Sequence, residues 1–90
     1  MAVYVDWMQP TIRNKNWPYR EGCHLMADTE EELHDFAILL RLERNWFQPH
    51  PIHPHYDLTF RKRRAAILNG AIEVDSKWYR EKRKERKANE

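Results

Sequence analysis

Gly22-Cys23-His24-Leu25-Met26-Ala27-Asp28-Thr29-Glu30-Glu31-Glu32-Leu33-His34-Asp35-Phe36-Ala37-Ile38-Leu39-Leu40 changes its hydrophobic period halfway along. Cys23 to Ala27 is a short apolar run bounded by Gly22 and Asp28, the pattern of a buried strand. Thr29 with Glu32 three residues on is a capping box. Leu33, Phe36, Ala37 and Leu40 then fall at i, i+3, i+4 and i+7, the apolar stripe of an amphipathic helix. The spacing predicts a helix from Thr29 to about Arg44, closed by Asn45 and packed on the strand through Phe36 and Leu40. Glu30 to Glu32 at its start, and Arg41 and Arg44 near its end, complement the helix dipole.

Outward from this unit the elements are short. Ala2 to Val5 is β-branched and aromatic and stops at Asp6, which predicts a short, largely buried strand in a sheet with the Leu25 segment. Trp7 to Glu21, with Pro10, Pro18 and a polar centre at Arg13 to Asn16, reads as a long loop. Trp46-Phe47-Gln48 predicts a short strand, followed by an irregular proline- and histidine-rich segment from Pro49 to His55. Thr59 is an N-cap for a helix through Asn69, and Gly70 suits a left-handed C-cap. Ala71 to Val74 reads as another strand. Asp75 or Ser76 caps a last helix from Lys77 to Ala88 that docks by Trp78 and Tyr79, while Arg80 to Glu90 is charged and expected to project. The expected class is α+β: a small sheet of three or four short strands packed by one long amphipathic helix, with two further helices in the C-terminal half. Residues 1–76 are expected to form the single α+β domain and 77–90 a basic helix or tail.

Ninety residues suffice for one modest core, and 41% apolar with 33% charged residues is a globular composition with a heavily solvated surface. No apolar run reaches the roughly 18 residues of a membrane span, and the first residues lack the features of a signal peptide. The lone Cys23 cannot form an internal disulfide. These features predict a cytoplasmic protein that does not associate with membranes. The net charge of +2 is unevenly spread: Met1 to Tyr56 carries 5 Lys and Arg against 8 Asp and Glu, whereas Asp57 to Glu90 carries 11 against 6. A basic half attracts polyanions, although a solvated helix has the same composition.

Chemistry is sought among the five histidines, which sit beside carboxylates at the edges of apolar segments. His24 lies in the buried strand, and His34 lies at the margin of the helix stripe, where the two could meet across the strand–helix interface. His55 and Asp57 project to one side if their stretch is extended. His24, His34, His55 and Asp57 are therefore the candidate catalytic residues and the candidate ligands of a divalent metal, with Asp6 or Asp28 available at strand ends. A metal-free polar pocket and satisfied structural histidines remain open alternatives, because no tight zinc-binding spacing is present.

The order of segments carries a resemblance: Val-Tyr-Val-Asp, Cys-His-Leu-x-Ala-Asp-Thr running into Glu-Glu-Leu-His, Trp-Phe-Gln, His-Tyr-Asp-Leu, Lys-Arg and Gly-Ala-x-Glu-Val. From Val3 to about Val74 the chain resembles a family of small bacterial and phage proteins, domain of unknown function 4031. The resemblance implies no activity. It places Asp6, His24, Asp28, His34, His55, Tyr56, Asp57 and Lys62-Arg63 at motif positions. The insert Pro49 to Pro54 and the basic tail depart from that pattern, so His50 and His53 gain nothing from it.

Arg61-Lys62-Arg63-Arg64 sets four cations in the first turns of a helix, where the dipole disfavours them. An anion held there would reverse the penalty, and phosphate is the natural candidate. Arg61, Lys62, Arg63 and Arg64, aided by Lys77 and Arg80, are the candidate phosphate-binding residues. Internal neutralisation by Asp57 and acids of the first helix is the alternative. Two functions follow: a protein binding nucleic acid or a phosphorylated ligand beside a His/Asp pocket, with phosphodiesterase or nuclease action open, or a non-enzymatic module whose Trp7, Trp17, Tyr19 and Trp46 anchor a protein partner.

Overall fold

The computed structural model describes residues 2–88, with side chains except those of Ser76 and of 86–88. The end of the charged C-terminal stretch thus lies outside the described residues. Five strands form one mixed sheet: β1 (Val3–Val5), β2 (Gln9–Pro10), β3 (Glu21–Ala27), β4 (Tyr56–Leu58) and β5 (Ile72–Glu73). Three helices accompany them, α1 (Glu30–Leu39), α2 (Phe60–Leu68) and α3 (Ser76–Ala88). The class is α+β, and β3 is its axis. It pairs antiparallel with β1, β2 and β4, while β5 adds parallel to β1.

Alternation along the strands sorts side chains onto two faces. Val5, Cys23, Leu25, Ala27, Tyr56 and Leu58 point to one face and pack with Leu33 and Ala37 of α1, Leu40 just past its end, and Ala66 of α2. Tyr4 and Met26 point to the other, where Tyr79 of α3 covers them. The apolar stripe of α1 is centred on Leu33 and Ala37, both 1% exposed, whereas Phe36 is only half-buried.

Thr29 caps α1 as its spacing to Glu32 predicts: the Glu32 N–H donates to Thr29 Oγ1, and the Glu32 carboxylate accepts from the Thr29 hydroxyl. α1 ends at Leu39, short of the expected Arg44, because Arg41 turns left-handed at φ 62°. The Leu42 N–H then donates to the Ala37 carbonyl and the Arg41 N–H to that of Ile38. This Schellman closure returns the buried Leu42 to the core without a glycine. Thr59 caps α2 and Gly70 takes φ 103° beyond its end, as the sequence predicts.

Two segments differ from expectation. Trp46-Phe47-Gln48 is not a strand: Arg44–Trp46 forms one 3-10 turn, and a lone bridge joins Gln48 to His55. The proline-bearing loop after Trp7 carries β2, which pairs Gln9 with Gly22, and its tip is fastened by Asn14 Oδ1 accepting from the N–H groups of Asn16 and Trp17.

α3 docks beyond its first turn. Asp75 Oδ1 caps it through the Lys77 N–H, and Tyr79 is buried with its hydroxyl donating to the Ala27 carbonyl. One turn later Lys82 donates to the Tyr4 hydroxyl, and Arg83 reaches the Asp28 carbonyl. No helix among the described residues is long and apolar enough to cross a membrane.

Candidate metal centre

The antiparallel register of β3 with β4 sets His24 directly opposite Asp57, both on the face away from α1 and α2. His55 stands two residues before Asp57 and so joins the same side. Asp6, one residue past β1, shares that side with Tyr4 by alternation. The Asp6 carboxylate accepts from the His24 N–H at 2.6 Å and from its ring Nδ1 at 2.6 Å. A carboxylate only accepts, so the His24 proton sits on Nδ1 and its Nε2 lone pair points away from Asp6. In the same way, His55 Nδ1 donates to the His53 carbonyl at 2.7 Å, which leaves a lone pair on its Nε2.

Both Nε2 atoms meet one carboxylate oxygen. Asp57 Oδ1 lies 3.9 Å from His24 Nε2 and 3.5 Å from His55 Nε2. The three ligand atoms fall within 4.8 Å of one another. Tetrahedral ligands at about 2.0–2.1 Å from a zinc ion stand roughly 3.3 Å apart, so small side-chain movements close the triangle on a metal. Each ring is already held through its other nitrogen by an oxygen, the arrangement that fixes tautomer and aim in metal sites. Three protein ligands leave coordination positions open, as in catalytic rather than structural centres. Two imidazoles and a carboxylate suit zinc, iron or manganese.

His55 and Asp57 also shape each other's titration. Burial pulls the His55 pKa down, but the Asp57 carboxylate and the His53 carbonyl outweigh it and leave it raised. Burial pushes Asp57 up, and the His55 contact with neighbouring imidazoles more than reverses this, so its pKa is lowered.

His53, set aside on sequence grounds, is part of this wall. Only 4% exposed, its ring lies 4.9 Å from those of both His24 and His55. Its Nε2 is 2.8 Å from Met26 Sδ, and a thioether can only accept, so that nitrogen carries the proton. Burial first, then His24, His55 and Arg80, push its pKa down to about 3. The wall beside the triangle is therefore uncharged at neutral pH.

The structure does not bring His34 to this site. The sheet lies between them: His34 pairs with Tyr56, on the α1 side, at 2.8 Å from the phenol oxygen and 3.2 Å from Glu30 Oε1. It is a satisfied core histidine, separated from His24 because neighbours in a strand point to opposite faces. Asp28 likewise serves the fold, accepting from the Ala2 N–H and the Tyr4 hydroxyl. His50 accepts from the N–H groups of Ile52 and His53 and shapes the loop that presents His53 and His55.

The cation cluster divides in two. Lys62 Nζ donates to the Leu40 carbonyl at 2.6 Å, supplying the positive charge that the last turn of α1 lacks. Arg63 is buried, donating from Nε to the Asp6 carbonyl at 2.8 Å and from Nη2 to Glu73 at 2.9 Å, with Trp7 over its guanidinium. Neither uses the expected partners, Asp57 and the α1 carboxylates. Arg61, Arg64, Lys77 and Arg80 are exposed. A groove of about 600 Å³ has Lys62 in its lining and shares Asp57 with the triangle.

Sequence reasoning offered Asp6 as an available carboxylate without assigning it to His24, and it set His53 aside. The signal for Asp6 was its period-two relation to Tyr4. For His53 there was none, since its burial depends on the fold of a proline-rich loop.

No curated protein and no solved structure matches the chain. The family described as "Protein of unknown function (DUF4031)" matches residues 3–86, a span that takes in the whole sheet, every residue of the triangle and most of α3. The chain belongs to that family.

Proposed function

We propose that this chain binds a divalent metal ion through His24, His55 and Asp57 and uses it to engage a phosphate-bearing ligand, with phosphodiester hydrolysis as the reaction class. The observation that carries the reading is the convergence of two lone-pair Nε2 atoms on Asp57 Oδ1, each ring aimed by an oxygen behind it. A metal bound there would supply Lewis-acid polarisation of a phosphoryl oxygen and an activated water. The exposed Arg61, Arg64, Lys77 and Arg80 supply positive potential for polyanions, and a cytoplasmic setting suits the buried thiol of Cys23.

The test is hydrolysis of a short oligonucleotide by metal-loaded protein. Turnover is expected with zinc or manganese, and its loss with chelator or in Asp57→Asn, while His34→Gln keeps it. Binding should weaken as salt rises, and replacing Arg61 and Arg64 by Gln should lower that slope by up to about one unit per lost phosphate contact. Binding that ignores both salt and metal would instead favour a protein-interaction module, for which the exposed Trp7, Tyr19 and Trp46 are the anchors.

A further inference from the structure

We infer that the groove sharing Asp57 with the triangle is a nucleobase site, so that the ligand engaged at Asp57 is a nucleoside phosphate, either a free nucleotide or a residue of a single strand. This rests on the proposed metal site and names its substrate class. Asp57 is common to both: its Oδ1 faces His24 and His55, and the residue also lines the groove. Asp57 is the residue through which a ligand in the groove would come near the metal position, since neither His24 nor His55 is in its lining.

The rest of the lining matches a base in chemistry and size. Tyr19 and Trp46 line the groove, each about half exposed at 49% and 48%, and offer flat faces on which a base can stack. Tyr19 is braced by an edge contact with Trp17, ring centroids 4.9 Å apart, and Trp17 is seated over Gly22, where a Cβ would come within 2.8 Å of its ring. The aromatic wall is thus fixed to the sheet. Asn45 and Gln48, both exposed, add amides that carry donor and acceptor together, the pairing that base edges present. Lys62 also lines the groove, and its ammonium has three protons, of which the bond to Leu40 uses one. The volume of about 600 Å³ lies within the roughly 300–1,000 Å³ of small-molecule sites. A peptide would need paired backbone groups or a deep apolar hole. This groove offers stacking faces, amides and one cation, and shares Asp57 with the candidate metal centre.

The experiment is a tryptophan-fluorescence titration of the full chain with adenosine, AMP and a short single-stranded oligonucleotide, each with zinc and with chelator. Saturable quenching by adenosine in both conditions is expected, with AMP gaining at least tenfold in affinity from zinc. Asn45→Ala, which keeps all four tryptophans, and Trp46→Leu should each raise the adenosine Kd severalfold while zinc binding is unchanged. Tighter binding of AMP than of the oligonucleotide would mark a free nucleotide, and the reverse a strand end. Both support the site. Zinc binding without any quenching by adenosine or AMP would overturn the groove and leave the metal centre standing. Quenching that survives Asn45→Ala and Trp46→Leu would place the base elsewhere and overturn it too. Adenosine quenching with no zinc binding would keep the groove and remove the metal reading.

Discussion

The two faces of the sheet use the same strands for opposite ends. On the helix-covered face the strand residues are Val5, Cys23, Leu25, Tyr56 and Leu58, and the histidine among them, His34, is engaged by Tyr56 and Glu30. On the other face the same strands present His24 and Asp57, with His53, His55 and Asp6 around them, and cover themselves only partly with Tyr79. A strand alternates with period two, so one register decides both faces at once. Slipping β4 by a single residue would bring Asp57 into the core and Tyr56 to the triangle. Stability built on one face therefore enforces the geometry of the other.

The largest expected effect lies on the helix face. Leu33→Ala should cost about 2–5 kcal/mol, because a 1% exposed side chain leaves a cavity. Phe36→Ala should cost less, since Phe36 is half-buried. Urea unfolding compares the two, and an equal loss would misplace the centre of the core. Next comes the joint between the faces. Arg63 holds the Asp6 carbonyl while the Asp6 carboxylate holds His24, so the two residues separate fold from function. Arg63→Met should lose about 1–3 kcal/mol by orphaning a buried acceptor. Asp6→Asn should weaken metal affinity by roughly 10–100-fold. If Arg63→Met unfolded no more easily than the parent, the joint would not exist.

A smaller effect is titratable. His53 has a folded pKa of about 3, below its unfolded value of about 6.5. Above about pH 6.5 both states are neutral and its contribution is complete. As the pH falls from there toward 3, only the unfolded state takes up the proton, and stability should drop by about 1.4 kcal/mol per pH unit. His55 acts in the opposite sense: its raised pKa gives stability at low pH that is lost as the pH rises through the folded value. In metal-free protein, His53→Leu should flatten the acid limb of the stability profile, and an unchanged limb would show that His53 does not titrate as its burial demands.

The helix face was legible in the sequence because periodicity is a local signal. Thr29 with Glu32, the Leu33 stripe and the Thr59 to Gly70 boundaries each declare themselves within a few residues. The polar face depends on pairing. That His24 opposes Asp57 follows from the register of segments separated by 33 positions, and His34 looked equivalent to His24 only because sequence does not show which side of a sheet a helix covers. His55 and Asp57 were readable as a pair, since alternation alone puts them together. The cations of α2 were readable as misplaced, but not their resolution: Lys62 serves the end of α1, and Arg63 reaches across to Asp6 and Glu73. Arg41 was read as a helix residue because its left-handed turn is imposed by the return of Leu42 to the core, not by a glycine.

The central claim is that His24, His55 and Asp57 form one metal centre and His34 belongs to the other face. Isothermal titration of chelator-stripped protein with zinc tests it most directly. One ion per chain should bind, with affinity lost in His24→Gln, His55→Gln and Asp57→Asn and kept in His34→Gln. No binding by the folded parent, or equal loss in His34→Gln without loss of fold, would contradict the account.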